Sequence, residues 1–399
     1  MKKIPNFTTG RYMKCILPFN IIFLALLSFM PMALFADNAE LQPYRSGMNE
    51  IVNGFNSKDP SAFIKAIDID AILNNALNDP FLDTKFTNEF RVSFKNTGAQ
   101  QLGEKINSKL AADYRVKLVR LVKQDTGAKA LIRLNFGENG YGYMDLQLRT
   151  DANSEVRIIN WFDYSSGRLY TETLHQLIAM LSPTPTAVGK LFDFATNKKA
   201  QTKNVVSLIK LNQQGKHKEM IEQFLASSSE LRKNRILNFF AVQSGNQSGN
   251  TELYLKALEN MNRYYSDDAK IQLVLVDYHF LTESYDKAIR SLELVEKSFG
   301  VKEAGIELLI SNTYLTSGNL NGSIKHARNS ISLEPDFEDA YWSLLLAYVN
   351  NKEFANAVKI SAQLERRFQY DLGPDSLKQA EVYNTLLLSN EYREWRKSM

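Results

Sequence analysis

GSIKHARNSISLEP, residues 322 to 335, puts a glycine, an alanine and several serines on a segment of helical period and then stops at Glu334-Pro335. Ser323 and Ala327 lie four apart, on one face, where small side chains let a second helix cross closely. Pro335 then ends the unit, because proline lacks the N–H that would continue a helix. The turn that precedes this helix recurs along the chain. Gly215, Gly249, Glu283, Gly318 and Lys352 are separated by 34, 34, 35 and 34 residues. Six residues after each stands an aliphatic side chain: Ile221, Leu255, Ile289, Ile324 and Val358. One place before those stand Met220, Tyr254, Ala288, Ser323 and Ala357, small in the last three. A 34-residue period is that of a repeated helix-turn-helix, and several copies must stack because one hairpin cannot bury its own apolar face.

SYDKAI (284 to 289) and EFANAV (353 to 358) carry an aromatic-x-x-alanine-aliphatic core, Tyr314 and Tyr348 stand late in the first helices, and Pro335 falls at the unit's end. On these residues the C-terminal half, about residues 201 to 399, resembles a tetratricopeptide repeat (TPR) array. The first two units depart from the pattern: His217 replaces the aromatic, and Met220 and Tyr254 replace the small residue. EYREW at 391 to 395 is expected to cap the array after an insertion at Tyr370 to Pro374. The resemblance implies that first helices line a concave groove, and its groove positions fall on Phe239, Gln243, Lys270, Asp277, Asn312, Asp339, Trp342 and Asn350. Aromatics among carboxylates and amides suit an extended peptide or protein partner. Leu273 and Leu308 stand where members that capture a chaperone tail carry basic residues, so capture of that kind is not expected. Trp342 either faces the groove or packs against a neighbouring helix.

Upstream the pattern is different. Residues 41 to 110 have a helical period punctuated by Asp59-Pro60-Ser61 and Asp79-Pro80. After Asp113 the period becomes two in YRVKLVRLVKQ, AKALIRLNF, YGYMDLQLR and EVRIINWFDY, separated by the turn sequences DTG, GENG and DANS. This predicts a four-stranded antiparallel meander whose apolar face carries Val116, Leu118, Ile132, Leu134, Met144 and Leu146, covered by the preceding helices. Helices followed by such a meander resemble the cone-shaped α+β (NTF2-like) superfamily in the order of elements. On the opposite face, alternation gathers Arg133, Asn135, Tyr141, Tyr143, Asp145 and Gln147. With Asp163 these either line a pocket, Asp145 acting as base and Arg133 as anion anchor, or form a wetted face with cross-strand charge pairs. A helix is expected from Arg168 to Leu181, and SPTPT (182 to 186) marks a boundary. The domains are then 37–181, α+β, and 204–399, an all-α TPR-like solenoid, joined by a linker at 182–203. A third reading packs the two domains together and fills the groove with the chain itself, either the helix 168 to 181 or the linker 187 to 203, where LFDFA (191 to 195) is apolar enough to be a plug.

The first 36 residues join four basic residues to the apolar run IIFLALLSFMPMALF and then Ala36-Asp37, the layout of an export signal cleaved after Ala36. The rival is an uncleaved inner-membrane anchor, which Pro18, Asn20 and Pro31 interrupt. Of 48 Lys and Arg residues, four lie in this leader and no acid does, so 44 remain against 44 Asp and Glu. The near-neutral balance removes the electrostatic case for nucleic-acid binding. The single cysteine, Cys15, lies in the leader, which excludes disulfides and thiolate chemistry from the rest. The four histidines, His175, His217, His279 and His326, have no metal-ligand spacing, no phosphate loop or nucleophile elbow is present, and His326 is expected to be solvated. The sequence therefore reads as a periplasmic, cofactor-free interaction scaffold for a protein or peptide partner of the cell envelope. The alternative is a small-molecule-binding or catalytic N-terminal domain with the repeats as its docking arm.

Overall fold

The computed structural model describes residues 39–79, 82–109, 115–136, 140–181 and 199–399. The leader, most of the 182–203 linker and LFDFA lie outside the described residues. Helices α1 (Gln42–Asn56), α2 (Ser61–Ala66), α3 (Ile69–Ala76) and α4 (Thr84–Lys109) precede the sheet. α2 begins at the punctuation read in the sequence, where the Asp59 carboxylate accepts the Ser61 N–H at 3.0 Å. Asp68 caps α3 by accepting the Ala71 N–H at 2.9 Å.

Strands β1 (Val116–Gln124), β2 (Gly127–Asn135), β3 (Tyr141–Thr150), β4 (Val156–Asp163) and β5 (Arg168–Leu169) pair in sequence order, all antiparallel. The meander has a fifth strand because Arg168 and Leu169 pair with Asp163 and Phe162. The following helix, α5 (Tyr170–Leu181), consequently starts two residues later than its periodicity suggests. Register places Val116 opposite Leu134, Leu118 opposite Ile132, Ile132 opposite Met144 and Ala130 opposite Leu146. These residues therefore share one face, and they pack with Met48, Ile51 and Phe55 of α1, Ile72 and Leu73 of α3, and Leu174 and Ile178 of α5.

The C-terminal half is a run of paired helices: α6 (Lys199–Gln213) with α7 (His217–Leu225), then a short α8 (Ser229–Lys233), α9 (Arg235–Gln247) with α10 (Thr251–Tyr265), α11 (Gln272–Leu281) with α12 (Tyr285–Phe299), α13 (Ala304–Thr316) with α14 (Leu320–Leu333), and α15 (Glu338–Asn350) with α16 (Phe354–Phe368). All five recurring turn positions are left-handed, with φ of 69° at Gly215, 66° at Gly249, 53° at Glu283, 80° at Gly318 and 57° at Lys352. At four of them the next N–H reaches the carbonyl five residues back, as in Ser284 to His279 at 2.7 Å and Glu353 to Tyr348 at 2.9 Å. That bond stops the first helix and reverses the chain at a fixed place, which sets the period.

The opening stretch forms α14. Ser323 and Ala327 are fully buried, and the Ser311, Ser323 and Ser343 hydroxyls link α13, α14 and α15, with Ser311 at 3.1 Å from Ser323 and 3.0 Å from Ser343. Ser330 donates to the Ala304 carbonyl at 2.7 Å. His326, expected in solvent, is half-buried with Nδ1 at 2.7 Å from the Glu307 carboxylate, because Glu307 is itself buried and needs donors. Beyond α16 the chain turns at Gln369 (φ 62°) into α17 (Pro374–Leu377), α18 (Asn384–Leu387) and α19 (Asn390–Lys397). Tyr370, Leu372, Leu377, Tyr383, Leu386 and Tyr392 join the core of α15 and α16, so that Ala340 to Val349 is buried on every side.

Candidate functional site

The positions carried over from the groove all lie on first helices or, for Lys270, on the turn before α11, but they have diverging surroundings. Gln243 on α9 and Asn350 on α15 are exposed. Asp277 accepts the Tyr254 hydroxyl proton at 2.7 Å, and Asn312 accepts from Ser343 at 2.8 Å; both are half-buried. Trp342 is 3% exposed and meets Tyr370 edge-on, ring centroids 4.8 Å apart, so it belongs to the C-terminal cap and lines no open groove. Phe239 lies under the Arg168 guanidinium, 4.5 Å from its centroid. Asp339 accepts a hydrogen bond from Tyr141 on β3 and one at 3.5 Å from Asn135 on β2. Lys270 adjoins Gly167 of the β4–β5 turn, so three of the positions, Phe239, Lys270 and Asp339, meet the N-terminal domain.

The polar face of the sheet is covered. Arg133, on β2 and 3% exposed, donates one arm to Glu303 and the other to both Glu334 oxygens at 2.8 and 2.9 Å. Its side chain also lies 4.4 Å over the Phe337 ring. Tyr143, completely buried, donates to the second Glu303 oxygen and packs on Phe299, centroids 4.8 Å apart. Glu303 also caps α13 by accepting the Ile306 N–H at 2.9 Å. The fit is close enough to need glycine at 305, since a Cβ there would stand 2.6 Å from the Tyr143 hydroxyl and 2.9 Å from Arg133 Cδ. Leu131, Tyr143 and Tyr164 share an apolar cluster with Leu292, Val295 and Phe299 of α12 and Ile306 and Ile310 of α13.

Arg133 anchors the chain's own carboxylates; burial works against its charge, and Glu303, Tyr143 and Glu334 more than restore it, holding its proton more tightly than an ordinary guanidinium. Burial raises the Tyr143 hydroxyl well above the usual phenol value, and Glu303 raises it further. Asp145 lies 3.3 Å from Arg120; burial raises its carboxyl, with Arg120 and Lys129 opposing. Asp163 accepts from the Ser165 N–H and hydroxyl at 2.8 and 2.6 Å and shapes the turn after β4. Among the described residues no group of three or more His, Cys, Asp or Glu is placed to hold a metal, and no helix is long and apolar enough to cross a membrane. The face is covered at Arg133 and Tyr143, while Asn135, Tyr141, Asp145 and Gln147 are half-buried and Asp145 forms a charge pair with Arg120 across the sheet. Glu303, Glu334, Phe299 and Arg120 were not singled out from the sequence; the run Ala130-Leu131-Ile132 in β2, where both faces are apolar, was the signal that this strand is covered twice.

Set beside solved structures, the helical half is similar to a MamA fragment from Desulfovibrio magneticus RS-1 (12% identity, 44% of this chain and 98% of that one, TM-score 0.35). It is also similar to another MamA crystal structure (20% identity, 44% and 97%, TM-score 0.34). A tetratricopeptide repeat protein from Parabacteroides merdae gives 13% identity over 56% of this chain and 82% of that one, with a TM-score of 0.32. No family model matches the chain, and no curated protein matches it in sequence. The TPR-like description rests on the chain's own helix pairs and their turns.

Proposed function

We propose that the chain is an exported, non-enzymatic interaction scaffold whose paired helices receive a protein or peptide partner in the cell envelope, and whose N-terminal sheet braces the stack. The observation that carries this reading is where the polar residues are used. The sheet's chemically capable face, Arg133, Tyr143 and Asp145, is committed to internal partners, while Gln243 and Asn350 on first helices stay exposed. A base needs access to substrate, and the Asp145 carboxylate is half-buried and already paired with Arg120. Stacked helix pairs expose a continuous surface suited to an extended partner. Export rests on the leader and on cleavage after Ala36, and the near-neutral remainder speaks for a protein partner over a nucleic acid.

The test is photo-crosslinking in the native envelope. A crosslinking residue at position 243 or 350 should give a discrete adduct, and one at Glu293 or Lys297, exposed on the second helix α12, should not. Equal labelling from both faces, or from neither, ends the scaffold reading. The mass of the envelope protein reports separately on cleavage.

A further inference from the structure

A cleft of about 310 Å³ opens where the β4–β5 turn meets the second and third helix pairs, with Gly167, Arg168, Gln176, Asn234, Arg235 and Lys270 in its wall. Its charge is lopsided. Arg168 is 6% exposed, and among the described residues its guanidinium meets only neutral acceptors: Gln176 Oε1 and, at 3.1 Å, the Arg235 carbonyl. Arg235 is half-buried and paired with Asp268 at 2.5 Å, its other arm on the Gly167 carbonyl at 3.0 Å. Lys270 is exposed at the mouth. The one acid in the wall, Glu172, is exposed and accepts the Leu169 N–H at 3.2 Å. Asn234 caps the thirteen-residue α9 at the same wall, which adds the positive end of a helix.

A buried guanidinium that hydrogen-bonds to no carboxylate is costly, and proteins compensate it with a partner. Burial and then the neighbouring Arg235 push Arg168 down to about 10, with Glu172 and Tyr265 opposing only in part, the direction expected of a site short of negative charge. We infer that this junction cleft binds a small phosphate-type oxyanion, held by Arg168 and Arg235 from within and by Lys270 at the mouth. Two planar guanidiniums and an ammonium offer donors from three directions, which a tetrahedral dianion can accept together. Because the wall comes from both domains, the anion would tie the sheet to the second and third helix pairs.

The experiment titrates the purified full chain with inorganic phosphate against chloride at matched ionic strength, read by calorimetry and by thermal unfolding. Saturable heat and a rise in Tm with phosphate are expected. Lys270→Gln, a neutral change at an exposed position, should weaken binding at least tenfold, and Arg168→Gln should abolish binding. If Arg168→Gln does not fold, the Lys270→Gln comparison decides. Heats no different from chloride, acetate acting as well as phosphate, or phosphate binding untouched by Lys270→Gln would each overturn the inference.

Discussion

Glu303 serves three groups at once: the Arg133 guanidinium, the Tyr143 hydroxyl and the first turn of α13. Removing one partner of a buried pair strands the other, so Glu303→Ala should cost about 3–5 kcal/mol in denaturant unfolding, and Glu303→Gln less, since the amide still caps the helix. Equal losses would show that charge is irrelevant there. Glu307, the other buried carboxylate of α13, behaves differently with pH. Burial raises its carboxyl, but the His326 and Asn329 donors outweigh this and hold it below the ordinary value of 4.5. A lowered folded-state value means stability that is complete above the ordinary value and is lost as pH falls through the folded one. Glu307→Gln should therefore flatten the fall in unfolding midpoint between about pH 5 and pH 3. None of these roles was read from the sequence, because the Arg133 and Tyr143 partners of Glu303 lie 170 and 160 residues away.

At the level of elements much more was legible, because the turns and the core spacing are local. Both the 34-residue spacing and the left-handed turn it implies appear in the structure, even where Glu283 and Lys352 stand in place of glycine. Those two side chains hold a conformation that L-residues disfavour. Glu283→Gly or Lys352→Gly should raise stability by up to about 1 kcal/mol, whereas Gly318→Ala should lower it by about 1 kcal/mol. Unfolding midpoints check both signs, and a loss from either glycine substitution would refute the account. The second unit departs from the small-residue pattern for a visible reason: facing Tyr254 is Gly245, where a Cβ would come 2.8 Å from the Tyr254 Cα. The close approach is kept, with the small residue moved to the partner helix. β5 escaped detection because two residues carry no period.

Across the whole molecule the sheet and the array share a core, so their unfolding should be coupled. Trp161 lies in the N-terminal core and Trp395 in the cap; in chains keeping one or the other, fluorescence transitions should coincide, and midpoints more than about 0.5 M urea apart would show two independent domains. Gly305→Ala gives a second test. In a free helix it would stabilise by about 0.5–1 kcal/mol, but here the added Cβ meets Tyr143 and Arg133, so the full chain should be destabilised instead. The sequence allowed such docking without locating it, since surfaces meet through pairs distant in the chain. A stack of hairpins touching only their neighbours is a coil spring, free to lengthen and twist by small increments at each joint. Here the sheet is fastened to successive joints: at Arg235 and Lys270 through Gly167 and Arg168, at Phe299 to Glu303 through Arg120 and Tyr143, and at Glu334 to Phe337 through Arg133 and Tyr141. A spring bolted along a beam keeps its pitch. On the scaffold reading proposed above, such an array would measure its guests like a ruler: those whose contact points match the set spacing would lose little freedom on binding, those that need the coil to stretch would be turned away, and a pull along the axis would be carried by the beam before any helix slides.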